Sequence, residues 1–191
     1  MQTALTPLKQ EVKQRILDSA LVEFCEKGYD KASLRQIAQS AGITVGNIYA
    51  YFKNKNSLMD AVMEPIISHF DQMIQDLASH NDNTLEYLHL VAHRIVEIYS
   101  LYRSQIIIVM SAMKNEKYVV YRNKLSESIS NAIIHEVPSV ASSHLVSVLS
   151  ESVIAGILSC FKRMPSMPKE ESERLIYDYL FYMFHLSEVS K

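Results

Sequence analysis

The sequence predicts an all-α protein, and three observations carry that prediction. Apolar residues recur at three- and four-residue spacing along most of the 191 residues. No segment of convincing length alternates apolar and polar side chains as a half-buried strand would. Three of the four glycines, Gly28, Gly42 and Gly46, fall in the first 46 residues, so tight turns are confined to the start and long helices fill the rest.

Taken in order, Val12, Ile16, Ala20 and Phe24 recur every four residues, with Leu17 and Leu21 beside them and Gly28 as a natural stop. A short second helix follows, with Ser33 and Gln36 as a capping box and Leu34, Ile37, Ala38 and Ala41 as its apolar face. Thr44 caps a third helix that turns Ile48 and Phe52 inward, and Asn54 caps a fourth. The fourth carries Leu58, Val62, Ile66, Phe70, Met73, Ile74 and Leu77 on one face, with Pro65 inside it to kink or locally open it.

Beyond the polar stretch 79–83, Thr84 caps a helix bearing Leu88, Val91, Ala92, Ile95, Ile98, Tyr99 and Tyr102. A shorter apolar piece spans 106–113. Asn115 then caps a helix with Tyr118, Tyr121, Leu125, Ile129 and Ile133 inward, closed by Pro138. Two final helices are expected over 140–163 and 168–189, with Glu170, Glu171 and Glu173 near the positive end of the last as a solvated first turn.

Apolar residues make up 48% and charged residues 21%, a globular balance that excludes global disorder. The net charge is −2, yet residues 1–60 carry 8 basic and 6 acidic side chains against 11 and 15 in residues 61–191. The basic excess therefore sits at the N-terminus. Two isolated cysteines, Cys25 and Cys160, suit a reducing compartment better than a disulfide framework. The longest aliphatic run, Ile106 to Met110, falls far short of a membrane span, and Lys9, Glu11, Lys13 and Arg15 interrupt any signal peptide, so a cytoplasmic protein with no membrane partner is expected.

The second and third helices, joined by Ala41-Gly42-Ile43-Thr44, have the dimensions of a helix-turn-helix. The run Thr44-Val45-Gly46-Asn47-Ile48-Tyr49-Ala50-Tyr51-Phe52-Lys53-Asn54-Lys55 surrounds little apolar volume with polar, aromatic and basic groups. Taken singly, Tyr49 and Tyr51 read as local packing and Lys53 and Lys55 as a solvated turn. As an ordered run behind a helix-turn-helix they read as a phosphate-gripping surface.

Residues 16–58, and above all Ser33-Leu34-Arg35-Gln36-Ile37-Ala38, Ala41-Gly42-Ile43 and Ile48-Tyr49-Ala50-Tyr51-Phe52-Lys53-Asn54-Lys55, resemble the N-terminal domain of TetR-family transcriptional regulators. The resemblance implies a homodimer whose first three helices bind double-stranded operator DNA, here residues 1–55. A variable helical domain, here residues 56–191, would bind a small-molecule effector and form the dimer interface. It places Thr44, Val45, Gly46 and Asn47 at the exposed start of the recognition helix, sets Tyr49, Tyr51 and Lys55 on phosphates, and puts Ser33 at a cap that meets a phosphate. The chain departs from the family pattern at Val45, where polar or basic residues are frequent, and at Ala50, where histidine is common. Val45 suits a thymine methyl, and Asn47 an adenine or a phosphate.

In the remainder, Tyr99, Tyr102, Met110, Met113 and Tyr121 are candidates for a soft effector pocket, with ordinary core filling as the competing reading. Ser152, Gly156 and Ser159 form a small-residue stripe that would let a helix approach closely. With Tyr179, Tyr182, Met183 and Leu186 they make a candidate four-helix dimer interface, though Gly156 could equally admit a helix of its own subunit.

His89 and His93 have metal-pair spacing but lie away from the apolar face and lack a His-Glu-x-x-His pattern, so they are expected in solvent or at a subunit contact. Gly42 and Gly46 lack the strand and Lys-Ser/Thr of a phosphate loop. Neither cysteine has a basic neighbour that would make it a nucleophile. No metal, cofactor or catalytic constellation is expected. The predicted function is a ligand-released repressor. The alternatives are a helical enzyme or ligand carrier with the N-terminal module as docking element, or an activator or corepressor-dependent regulator.

Overall fold

The computed structural model describes residues 7–78, 85–112, 119–136 and 144–185. Among these residues it is helical and holds no strand. The helices are α1 (Pro7–Lys31), α2 (Leu34–Ser40), α3 (Val45–Tyr51), α4 (Lys55–Ala78), α5 (Leu85–Leu101), α6 (Arg103–Ala112), α7 (Val119–Glu136), α8 (Leu145–Phe161) and α9 (Lys169–His185), with a 3-10 turn at Met164–Ser166. The chain forms two compact units, Met1–Ile66 with Ser104–Lys114, and Ile67–Arg103 with Asn115–Lys191.

In the first unit Ile16, Ala20 and Phe24 of α1, Ile37 and Ala38 of α2, Ile48 of α3 and Leu58, Met59, Val62 and Met63 of α4 are buried. Their spacing is the one that defines each helix in the sequence. Gly28 adopts φ 71° and ends the regular helical path of α1, the role its lack of a Cβ suits. Ile106 and Ile108 of α6 are buried too, and α6 begins at Arg103, ahead of the expected apolar piece. The helical path of α4 continues through Pro65, and the division between the units falls just after it, between Ile66 and Ile67.

In the second unit α5 packs along α9, α7 along α8, and α8 against α9. Ala92, Val96 and Ile98 of α5, Ile133 of α7, and Ile176 and Leu180 of α9 are buried. Val96 shares the i, i+4, i+7 stripe of His89 and His93; both histidines are exposed, as expected, and lie at the edge of the packing between α5 and α9. The His89 ring stacks on Tyr177 with centroids 3.9 Å apart, and His93 Nδ1 lies 2.9 Å from Glu173 Oε1. Glu173 is also 3.7 Å from Lys169, so of the acidic trio only Glu170 and Glu171 remain as the exposed first turn.

α8 starts at Leu145, later than the spacing suggested, and α9 starts at Lys169. Within residues 145–166 an 18-residue stretch reaches a mean hydropathy of 1.6, long and apolar enough by composition alone to cross a bilayer, while seven residues of α8 are buried within the fold. Uninterrupted aliphatic runs understate the apolar content of α8, because Ser and Gly break the run without lowering its average far. The caps expected from Thr84 and Asn115, and Tyr118 and Pro138, lie outside the described residues.

Candidate nucleic-acid interface

The turn between α2 and α3 is built by backbone geometry. Gly42 takes φ 68°, the left-handed region, while its N–H donates to Gln39 O at 3.1 Å and the Ile43 N–H donates to Ala38 O at 2.9 Å. This paired arrangement is a Schellman termination, which satisfies the last carbonyls of α2 and reverses the chain. The side chain of Thr44 then accepts from the Asn47 N–H at 3.3 Å, as its predicted capping role requires. The Asn54 carboxamide accepts from the Ser57 N–H at 2.8 Å, and the Ser57 hydroxyl in turn accepts from the Asn54 N–H at 3.1 Å, fixing the start of α4.

The result is a seven-residue α3 that buries a single residue, Ile48, 1% exposed. Phe52 follows it into the core. Thr44, Gly46, Asn47, Tyr49 and Ala50 are exposed, and Val45 and Tyr51 are half-buried. Tyr49 is 54% exposed, which the local-packing reading of that ring does not account for. Gly46 has an ordinary helical φ, and a Cβ there would meet only Thr44 Oγ1 at 3.8 Å. Neither backbone strain nor crowding within the chain calls for a glycine at this position.

Two features at the α1–α2 corner differ from the sequence reading. Ser33 is the N-cap of α2, but its side chain makes no cap hydrogen bond. Its backbone N–H instead donates to Glu23 Oε1 at 3.1 Å, so a nearly buried carboxylate on α1 takes the acceptor role the capping box assigned to Gln36. Ser33 borders an open groove of about 600 Å³ that Glu23, Lys27 and Arg35 also line. The second feature is Lys55, expected to grip a phosphate. Its Nζ donates to Ala32 O at 2.7 Å and Asp30 O at 3.3 Å and sits 4.5 Å from the centroid of the Tyr29 ring. Glu23 and Tyr29 were missed from sequence, since a lone glutamate in an apolar stripe carries no signal of the amide it will meet.

The candidate effector residues lie on several elements. Tyr99 of α5 stacks on Phe161 with centroids 4.9 Å apart, and just past α5 the Tyr102 hydroxyl lies 3.4 Å from His69 Nδ1 of α4. Met110 is half-buried on α6, Tyr121 is on α7, and Met113 lies outside the described residues.

For the candidate dimer residues, the structure resolves the ambiguity of Gly156. A Cβ at Gly156 would overlap the ring of Tyr179, so the missing side chain admits α9 of the same chain, and the subunit-contact role of Gly156 is corrected. The Tyr179 hydroxyl donates to Ser152 O at 2.8 Å, and burial raises its pKa above the ordinary tyrosine value. Ser159 accepts from Arg163, just past the end of α8, through both its carbonyl and its hydroxyl. Tyr182 is 61% exposed, Met183 is half-buried, and Leu186 lies outside the described residues. Burial raises both Cys25 and Cys160 above the usual thiol range, which disfavours the nucleophilic thiolate.

A glycine-turned pair of short helices, the second exposing nearly its whole length, defines the class of helix-turn-helix DNA-binding proteins. Residues 16–62 match the profile of the bacterial regulatory proteins of the tetR family. The chain is 34% identical over 133 residues to the HTH-type transcriptional regulator YvdT of Bacillus subtilis, covering 65% of this chain and 69% of YvdT. It belongs to the TetR family of transcriptional regulators. The fold is likewise that of a TetR-family transcriptional regulator from Syntrophomonas wolfei, with TM-score 0.73, 19% identity, and coverage of 94% of this chain and 96% of that one. It also matches FadR of Bacillus subtilis, solved in complex with stearoyl-CoA, with TM-score 0.68, 17% identity, and coverage of 90% and 99%.

Proposed function

We propose that the protein is a non-enzymatic cytoplasmic repressor that binds a palindromic operator as a homodimer and is released by a small apolar or amphipathic molecule. The observation that carries this is α3, which buries Ile48 alone and leaves Gly46, Asn47, Tyr49 and Ala50 exposed, with Val45 and Tyr51 half-buried. Thr44, Val45, Gly46 and Asn47 enter the major groove, and Tyr49 and Tyr51 flank them on phosphates with the exposed Ser33. Two such helices reach half-sites whose centres lie roughly 34–36 Å apart or a multiple of that.

The dimer reading draws on α8 and α9. Val148 is 57% exposed and Leu145 49%, with Ser152 on the same stripe and Tyr182 on the neighbouring helix. An aliphatic face of this kind needs an apolar partner, and a second copy supplies one by two-fold symmetry. Leu145 and Val148 join Ser152, Tyr182, Met183 and Leu186 in this interface. For the effector, stearoyl-CoA in FadR makes long-chain acyl-CoA the first class to try, with Tyr99, Tyr102, Met110, Met113 and Tyr121 as the residues to probe.

Fluorescence anisotropy against duplexes tiling the DNA upstream of the protein's own gene, at several salt concentrations and with a shuffled control, tests the reading. One tile binding far more tightly than the control, and released by a long-chain acyl-CoA, is the expected result. Equal weak binding to every tile contradicts operator recognition, and tight binding that appears only with acyl-CoA reverses the sign of the response.

A further inference from the structure

We propose that Lys55 is a positioning residue, a clamp that holds the α1–α2 corner against the first turn of α4, and not a phosphate ligand. A lysine at the first position of a helix is poorly placed for that helix, because the N-terminal end already carries partial positive charge. Here the ammonium is directed instead at the end of a different helix, where carbonyl oxygens carry partial negative charge and seek donors. It is 2.7 Å from Ala32 O and 3.3 Å from Asp30 O, just past the point where Gly28 turns the chain out of regular helical geometry.

The contact is reinforced from below. Lys55 Nζ lies 4.5 Å from the centroid of the Tyr29 ring, within the range of a cation–π attraction. That ring is itself nearly buried and stacks on Phe24 with centroids 5.9 Å apart. The Tyr29 hydroxyl donates to Asn56 Oδ1, the residue after Lys55. The first two residues of α4 thus grip one aromatic ring and the carbonyls that follow it. From the α1 side Glu23 holds the Ser33 N–H, so the corner from which α2 departs is tied at both ends. Since α2 carries α3 through the rigid Gly42 turn, the direction of the recognition helix depends on this corner.

The link to affinity rests on the DNA-binding reading, whereas the clamp itself does not, and the test separates them. Full-length wild type and Lys55→Met are compared by amide hydrogen exchange at residues 30–33 and by anisotropy with a mixed-sequence duplex over a range of salt. The expected result is exchange faster by about tenfold at the corner and duplex binding weaker by about tenfold, with an unchanged slope of log affinity against log salt. A slope reduced by about 0.9 per subunit, the signature of one lost phosphate contact, overturns the proposal, as does unaltered exchange. Should wild type itself fail to bind duplex at low salt, the DNA-binding reading fails while the exchange result still judges the clamp. If Lys55→Met does not fold, Asn56→Ala carries the same exchange readout: faster exchange at residues 30–33 supports the clamp, and no change refutes it.

Discussion

α3 and α8 both leave large side chains uncovered, with opposite chemistry. α3 buries Ile48 alone and shows an amide, two tyrosines and a glycine around a threonine cap. α8 buries seven residues and still shows Leu145 and Val148. Exposure by itself therefore identifies no partner. Hydroxyls, amides and flat rings can take phosphates and base edges, whereas bare aliphatic groups gain only from another apolar surface.

The comparison breaks most readily at Val148. Val148→Asp places a carboxylate at the proposed interface twice per dimer and should cost about 4 kcal/mol of association free energy, read as monomers in sedimentation with an unaltered melting curve for the monomer. A dimer of wild-type affinity would mean that α8 is covered by something else.

A middle-sized effect is expected at Gly156. Gly156→Ala forces the Tyr179 ring to swing away from the Ser152 carbonyl and should lower stability by about 1–2 kcal/mol in thermal unfolding. In a Tyr179→Leu background the same substitution should cost almost nothing, and an equal cost in both backgrounds would remove the ring from the explanation. The smallest effect sharpens the other side of the comparison. Gly46→Ala has room for its methyl and should gain about 0.5–1 kcal/mol of stability from helix propensity. If duplex affinity falls nonetheless, the backbone at Gly46 approaches DNA; if it does not, the glycine has no part in recognition.

What was legible in the sequence was local. Thr44 and Asn54 cap helices within three residues of themselves, Gly28 and Gly42 end them, and the periodicity that names Ile16, Ile37, Ile48 and Leu58 as core needs no knowledge of tertiary structure. The exposure of α3 was legible for the same reason, since a short helix with one inward residue shows its outward ones by default. Contacts between distant segments were not. Lys55 reads as a solvated or phosphate-seeking lysine because Ala32 O lies 23 residues back, and a backbone carbonyl leaves no trace in composition. Gly156 reads equally as an intersubunit or an intrasubunit gap until Tyr179 fills it. The exposure of His89 and His93 was legible from their place beside the apolar face, whereas their partners Tyr177 and Glu173, 80 or more residues on, were not.

The turn at Gly42 carries a consequence for which residues it can tolerate. A Cβ at that position would meet nothing within 4 Å, so the demand is for handedness and not for smallness. The backbone there follows a path that L-residues with ordinary side chains avoid and that asparagine accepts more readily than alanine. Ranked by volume alanine is the closer replacement, while ranked by chirality the bulkier asparagine fits better, and at this corner of the molecule chirality decides.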